Sequence, residues 1–141
     1  MKIFWNTISS QMHEILDIFG GSDIGAKFYL AGGTALALQL GHRHSIDLDY
    51  FSQTEDIPSI REALHHALQS FAPILADSSW GNLVFLVNEV RVGFYGYGYG
   101  MVEPLISMEN TRLASIADIG LMKLDALLAR ASRKDYHDIY V

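Results

Sequence analysis

At 141 residues, half of them hydrophobic and 18% charged, the chain is long enough for one packed domain and too apolar to be disordered. Ten basic against sixteen acidic residues leave a formal charge of −6. This argues against extensive non-specific nucleic-acid binding, whose affinity comes from neutralising phosphates, but leaves room for one folded RNA on a local patch. With no cysteine, thiolate catalysis, disulfides and cysteine zinc sites are absent.

No apolar run reaches the ~18 residues of a membrane span, so no membrane association is expected. The N-terminal stretch, broken by Asn6, His13, Glu14 and Asp17, does not read as a secretory signal. A cytoplasmic location is the expectation. Residues 6–19 repeat apolar positions at helical spacing (Ile8, Met12, Ile15, Leu16, Phe19), with Asn6 as candidate cap and Gly20-Gly21 as stop. "KFYLAGG" reads as a buried strand entering a tight turn, and "TALALQL" as a two-turn helix closed by Gly41. "SIDLDYF" alternates as a strand. Ser59–Phe71 is an amphipathic helix, and "NLVFLVNEVRVGFYGYG" is two strands joined at Asn88-Glu89. A long helix runs from Ser115 to about Arg130, and "SRKDYHDIYV" starts a further helical segment. These elements predict one α+β domain over residues 1–141, an α/β sandwich with a small mixed sheet flanked by helices.

The chemistry concentrates in "YLAGGTALALQLGHRHSIDLDYF". Strand alternation puts Ser45, Asp47, Asp49 and Phe51 on one side and Ile46, Leu48 and Tyr50 on the other. The Cα atoms of Asp47 and Asp49 are then ~7 Å apart, two residues at ~3.3 Å each. Two like charges on a half-buried strand repel, and one stays protonated unless a cation joins them. A hard divalent ion, Mg²⁺ or Mn²⁺, removes the conflict, since such ions take one or two protein carboxylates plus substrate phosphate oxygens. Gly32 and Gly33 allow close backbone approach, and the helix beginning near Thr34 offers free N–H groups and a positive dipole end. The competing reading of Asp-x-Asp alone is a solvated strand face. The order strand, glycine turn, short helix, acidic strand favours the metal and phosphate reading.

Pattern and order resemble the minimal nucleotidyltransferase fold of the DNA polymerase β superfamily, and more closely the AbiEii/AbiGii toxin family of nucleotidyltransferases. The resemblance rests on the Gly-Gly-Thr turn, the Arg43-x-Ser45 pair and Asp47-x-Asp49. It extends to "VRVGFYGYGYG", "LASIADIGLMKLDALLAR" and "RKDYHDIYV", and so covers residues 28–141. It implies transfer of a nucleoside monophosphate from a nucleoside triphosphate to an acceptor hydroxyl, with a tRNA end as one acceptor. It also implies a toxin–antitoxin or phage-defence setting with a cognate antitoxin as partner. Asp47, Asp49 and Lys123 become the catalytic candidates. Gly32, Gly33, Thr34, Arg43, Ser45 and Lys123 become the nucleotide-binding ones, and Lys134, Asp135 and Asp138 match the family's closing Lys-Asp motif in an accessory role.

Each has a plainer reading. Lys123 falls on a helical stripe with Ile116, Ile119 and Leu127, where a lysine either snorkels or meets an anion. Arg130 lies two turns on, near the same face. Arg43 holds phosphate, neutralises the aspartates, or is a surface arginine. Lys134 and Asp138 also fit an i,i+4 pair on a helix capped by Ser132. Ser115 and Asp118 read as a capping box without further function, and His42 and His44 lack a third ligand at site-like spacing. "GYGYG" lacks the context of a dinucleotide fingerprint and reads as a flexible loop.

The sequence departs from the superfamily in two places. A third carboxylate is expected on a later strand, and its counterpart here is Gly93, with Glu89 too far along at the turn. The chain ends at Val141, soon after Asp138, so a short or truncated C-terminal helical region is expected. The alternative these departures support is a catalytically degenerate nucleotide-binding or protein-interaction module.

Overall fold

The alternating run DLDYFS forms the middle strand of a seven-stranded mixed sheet. The structure is a computed structural model describing residues 2–139, and for residues 132–139 the backbone alone. In chain order the elements are α1 (Ser10–Gly20), β1 (Tyr29–Ala31), α2 (Gly32–Leu40), β2 (Asp47–Ser52), α3 (Arg61–Ala67) and β3 (Ile74–Asp77). There follow β4 (Leu83–Val87), β5 (Val90–Gly96), β6 (Ile106–Met108), β7 (Thr111–Leu113) and α4 (Ile116–Ile139). Short 3-10 turns fill several connections. Strand order across the sheet is β3-β4-β5-β2-β1-β7-β6. β2 runs antiparallel to β1 and parallel to β5.

Leu48 and Tyr50, on the even face of β2, are buried, as are Val92 and Phe94 on β5. Phe19 of α1 closes on this face, with ring centroids 4.7 Å from Tyr50 and 5.2 Å from Phe94. Phe28 and Phe85 complete the aromatic cluster, each such side chain contributing about 1.5–3 kcal/mol by leaving water. The other face of β2 carries Asp47, Asp49 and Phe51, all half-buried. Above it α2 and α4 pack against each other, which leaves a hollow rather than a second core.

Several expectations need correction. The first helix is capped by Ser9, whose side chain accepts from the Met12 N–H at 3.1 Å, and Asn6 sits in a preceding 3-10 turn. The helix expected over 59–71 is only α3, flanked by 3-10 turns. β3, β6 and β7 were not legible in the sequence and enlarge the sheet to seven strands. The backbone of α4 runs through residue 132 without a new helix start there. The Asn88-Glu89 hairpin is as expected, with Val87 opposite Val90 and Asn88 in the left-handed region at φ 55°. Among the described residues, no helix is long and apolar enough to cross a membrane.

Candidate functional site

The glycine pair starts α2. Gly32 has φ +70°, a backbone a β-carbon disfavours, and it lets the chain turn from β1 directly into the helix. A β-carbon on Gly32 would also lie 2.7 Å from Asp49 Oδ2, so the Asp49 carboxylate leans over the helix start. Ala31 occupies the N-cap and has no side-chain oxygen to offer the first N–H groups. They stay available to a ligand, at the positive end of the helix dipole.

Arg43 approaches the same point from the loop before β2. Its guanidinium lies against the backbone of Gly33, where a β-carbon would crowd one of the terminal nitrogens. Two hollows meet here. One, of about 450 Å³, is lined by Gly33, Thr34, Arg43, Ser45, Asp47 and Asp49 among others. The second, of about 760 Å³, shares Gly33 and Arg43 with it and extends over Leu36, Phe51 and Tyr97 to Lys123 of α4. The fold thus brings residue 123 beside residues 32 and 33. Among the described residues, neither Arg43 nor Lys123 has an acidic partner within ion-pairing distance.

Burial raises the Asp49 carboxyl to about pKa 6, and the neighbouring Asp47 charge adds to the rise, with Arg91 and a hydrogen bond from Tyr95 working against it. This is the like-charge conflict that a shared cation relieves. The donor set fits a hard divalent ion, two carboxylates with space for phosphate oxygens beside them. Among the described residues there is no cluster of three or more histidine or acidic side chains placed to hold a metal ion.

Thr34 and Ser45 line the smaller hollow but are buried, with their hydroxyls 2.5 Å apart. Thr34 also donates to the Asp47 carbonyl. Their geometry fastens the start of α2 to the acidic strand, which positions Gly33 against Asp47. The stripe expected on α4 is only partly inward. Ile119 and Met122 are buried, whereas Ile116 and Leu127 are 43% and 50% exposed. Lys123 sits at the cavity wall and not in a core. Arg130 is exposed. Lys134, Asp135 and Asp138 fall on the C-terminal turns of α4, and their side chains lie outside the described part of the structure. Of the expected capping box only half forms: the Ser115 hydroxyl accepts from the Asp118 N–H and donates to the Asp118 carboxylate, which also accepts the Val102 and Glu103 N–H groups at 2.8 and 2.9 Å. That carboxylate thereby ties the loop after β5 to α4.

Sequence reasoning missed Arg91, Tyr95, Tyr97 and Asp125. Register puts Arg91 opposite Asp47, Gly93 opposite Asp49 and Tyr95 opposite Phe51. Tyr97, in the stretch read as a flexible loop, walls the larger hollow and donates to Asp125 Oδ2 at 2.5 Å. That bond, more than burial, raises the Tyr97 phenol to about pKa 12. The odd-numbered alternation of β5 was visible in the sequence. Its pairing with the odd face of β2 was not.

Residues 14–78 match the profile of a family described as "Nucleotidyl transferase AbiEii toxin, Type IV TA system". The resemblance read from the motifs therefore holds over the segment carrying Gly32 to Asp49, while Lys123 and the closing Lys-Asp stretch lie outside it. A protein of Aquifex aeolicus (strain VF5), described as "Uncharacterized protein aq_aa25", is 29% identical over 136 residues. The alignment covers 94% of this chain and 66% of that protein, so the chain spans just under two thirds of its relative's length. Among solved structures, ANT(2")-Ia in complex with adenylyl-2"-tobramycin aligns at a TM-score of 0.55 and 14% identity, over 79% of this chain and 72% of that one. JHP933 from Helicobacter pylori aligns at 0.50 and 19%, over 79% and 55%. The expected α+β architecture of the nucleotidyltransferase fold is borne out.

Proposed function

We propose that the protein transfers a nucleoside monophosphate from a nucleoside triphosphate to an acceptor hydroxyl. The observation that carries this reading is the meeting of the two hollows at Gly33 and Arg43, one lined by both aspartates and the other reaching Lys123. A triphosphate laid across that junction has the N–H groups of α2, the Arg43 fork and the Lys123 ammonium around it. The nucleoside fits the larger hollow, against Leu36, Phe51 and Tyr97. Asp47 and Asp49 would hold a divalent cation, which would supply neutralising charge beside the phosphates. The acceptor oxygen bonds to the α-phosphorus, the bond from that phosphorus to the bridging oxygen breaks, pyrophosphate leaves, and the hydroxyl proton passes to water or to the leaving pyrophosphate. Catalysis is positioning plus electrostatics. An RNA end such as that of a tRNA is one acceptor, and a toxin role held in check by an antitoxin is the biological setting that the family description suggests for this chain.

A second reading has its own support. Gly93 faces Asp49 across the strand pair, where a third carboxylate would stand. Under that reading the site binds metal and nucleotide without turnover. Calorimetric titration of each nucleoside triphosphate, with and without Mg²⁺, on wild type and an Asp47→Asn, Asp49→Asn double variant tests both. Mg²⁺-dependent binding lost in the variant supports the site, and pyrophosphate release with a supplied RNA then separates the enzyme from the binding module. Binding that is absent, or equal in the variant, refutes the proposal.

A further inference from the structure

Gly93 leaves a gap on the site face of β5, and Tyr95 fills it. Residues 93 and 95 project from the same side of the strand. A β-carbon on Gly93 would lie 2.6 Å from Tyr95 Cε2 and 2.7 Å from Tyr95 Cζ, so the ring folds back along the strand over the glycine. That pose keeps the phenol over Gly93, and Asp49 is the residue directly opposite that glycine on the neighbouring strand. On its other side the ring packs against Phe51, its cross-strand partner, with centroids 5.2 Å apart. A tyrosine held between a glycine gap and a neighbouring aromatic has little freedom to leave.

We propose that Tyr95 is a positioning residue of the cation site, its hydroxyl donating to Asp49 and holding that carboxylate toward Asp47, with Gly93 required so that the phenol can reach. This rests on the reading of Asp47 and Asp49 as the cation's ligands. A carboxylate has lone pairs enough to accept a hydrogen bond from the phenol and still bind an ion. Hydrogen bonds of this kind orient metal-binding side chains, and losing one costs about 10–100-fold in metal affinity. The place where an acidic side chain was expected on β5 is filled by a neutral donor that acts through Asp49.

The test is Mn²⁺ affinity, read by electron paramagnetic resonance of the free ion without nucleotide, on wild type, Tyr95→Phe and Gly93→Ala. Tyr95→Phe keeps the ring and its Phe51 contact and removes only the hydroxyl. Gly93→Ala keeps the hydroxyl and pushes the ring off its seat. Both are expected to weaken Mn²⁺ binding by about tenfold or more, with circular dichroism of the metal-free protein unchanged. A double variant, Gly93→Asp with Tyr95→Ala, puts a carboxylate into the vacated space and is expected to regain the lost affinity. If wild type binds Mn²⁺ and Tyr95→Phe binds it equally well, the inference fails and the aspartate reading stands. If wild type binds no Mn²⁺, both fail. A change in thermal midpoint with no change in Mn²⁺ affinity assigns Tyr95 to packing and also overturns the proposal.

Discussion

Asp49→Asn should stabilise the metal-free protein at mildly alkaline pH while destroying its response to Mg²⁺. Asp49 titrates at about 6 in the folded chain against 3.8 for the unperturbed group, first because it is buried and then because Asp47 is charged. Between those values the folded state holds a proton that the unfolded state has released. Stability therefore falls as pH rises through that window and stays low above it. At about 1.4 kcal/mol per pKa unit the full shift is worth roughly 3 kcal/mol, and solvent screening around a half-buried carboxylate trims this to about 2 kcal/mol. For a domain of this size that is a rise of roughly 6–8 °C in thermal midpoint for the asparagine variant at about pH 8. At about pH 4, where folded wild type is already protonated at this position, the two midpoints should nearly coincide. Mg²⁺ at about ten times its dissociation constant should raise the wild-type midpoint by the equivalent of about 1.4 kcal/mol, and leave the variant where it was. Differential scanning calorimetry across that pH range, with and without Mg²⁺, reads all of this. A variant less stable than wild type at high pH, or one that Mg²⁺ still stabilises, would refute the argument that Asp47 and Asp49 form a strained pair awaiting a cation.

Arg43→Ala and Lys123→Ala should each weaken triphosphate binding by roughly 10–100-fold, the worth of a charge-assisted hydrogen bond, with little change in thermal midpoint; equal affinity by calorimetry would remove either residue from the site. Thr34→Val deletes the buried hydroxyl that meets Ser45 and the Asp47 carbonyl, at a cost of about 1–3 kcal/mol in chemical denaturation; full stability would mean that α2 is not fastened to β2 there. Asp118 accepts two backbone N–H groups from the loop after β5, so Asp118→Ala should cost about 2 kcal/mol and open residues 97–105 to limited proteolysis. Resistance to cleavage equal to wild type would count against that tie.

Alternation in DLDYFS determined which face of β2 would be acidic and which would enter the core, because the side-chain period of a strand is two whatever lies beside it. The Gly-Gly pair, Gly41 and Asn88-Glu89 marked turns for equally local reasons of backbone freedom. Strands of three residues such as β6 and β7 carry too few positions for any period to emerge, and only pairing with β1 and with each other makes them strands. Register is likewise a property of two segments at once. Nothing within residues 90–96 says that Gly93 will face Asp49 or that Tyr95 will fold over the glycine to reach it. The same holds for Lys123, which nothing near it in sequence ties to Gly33, and which meets the edge of the phosphate cradle only because α2 and α4 pack on one side of the sheet. Local chemistry was enough to name the two aspartates and the glycine turn as a candidate site. What surrounds them was decided by the sheet, since side chains distant in sequence become neighbours only once strand order and register are set.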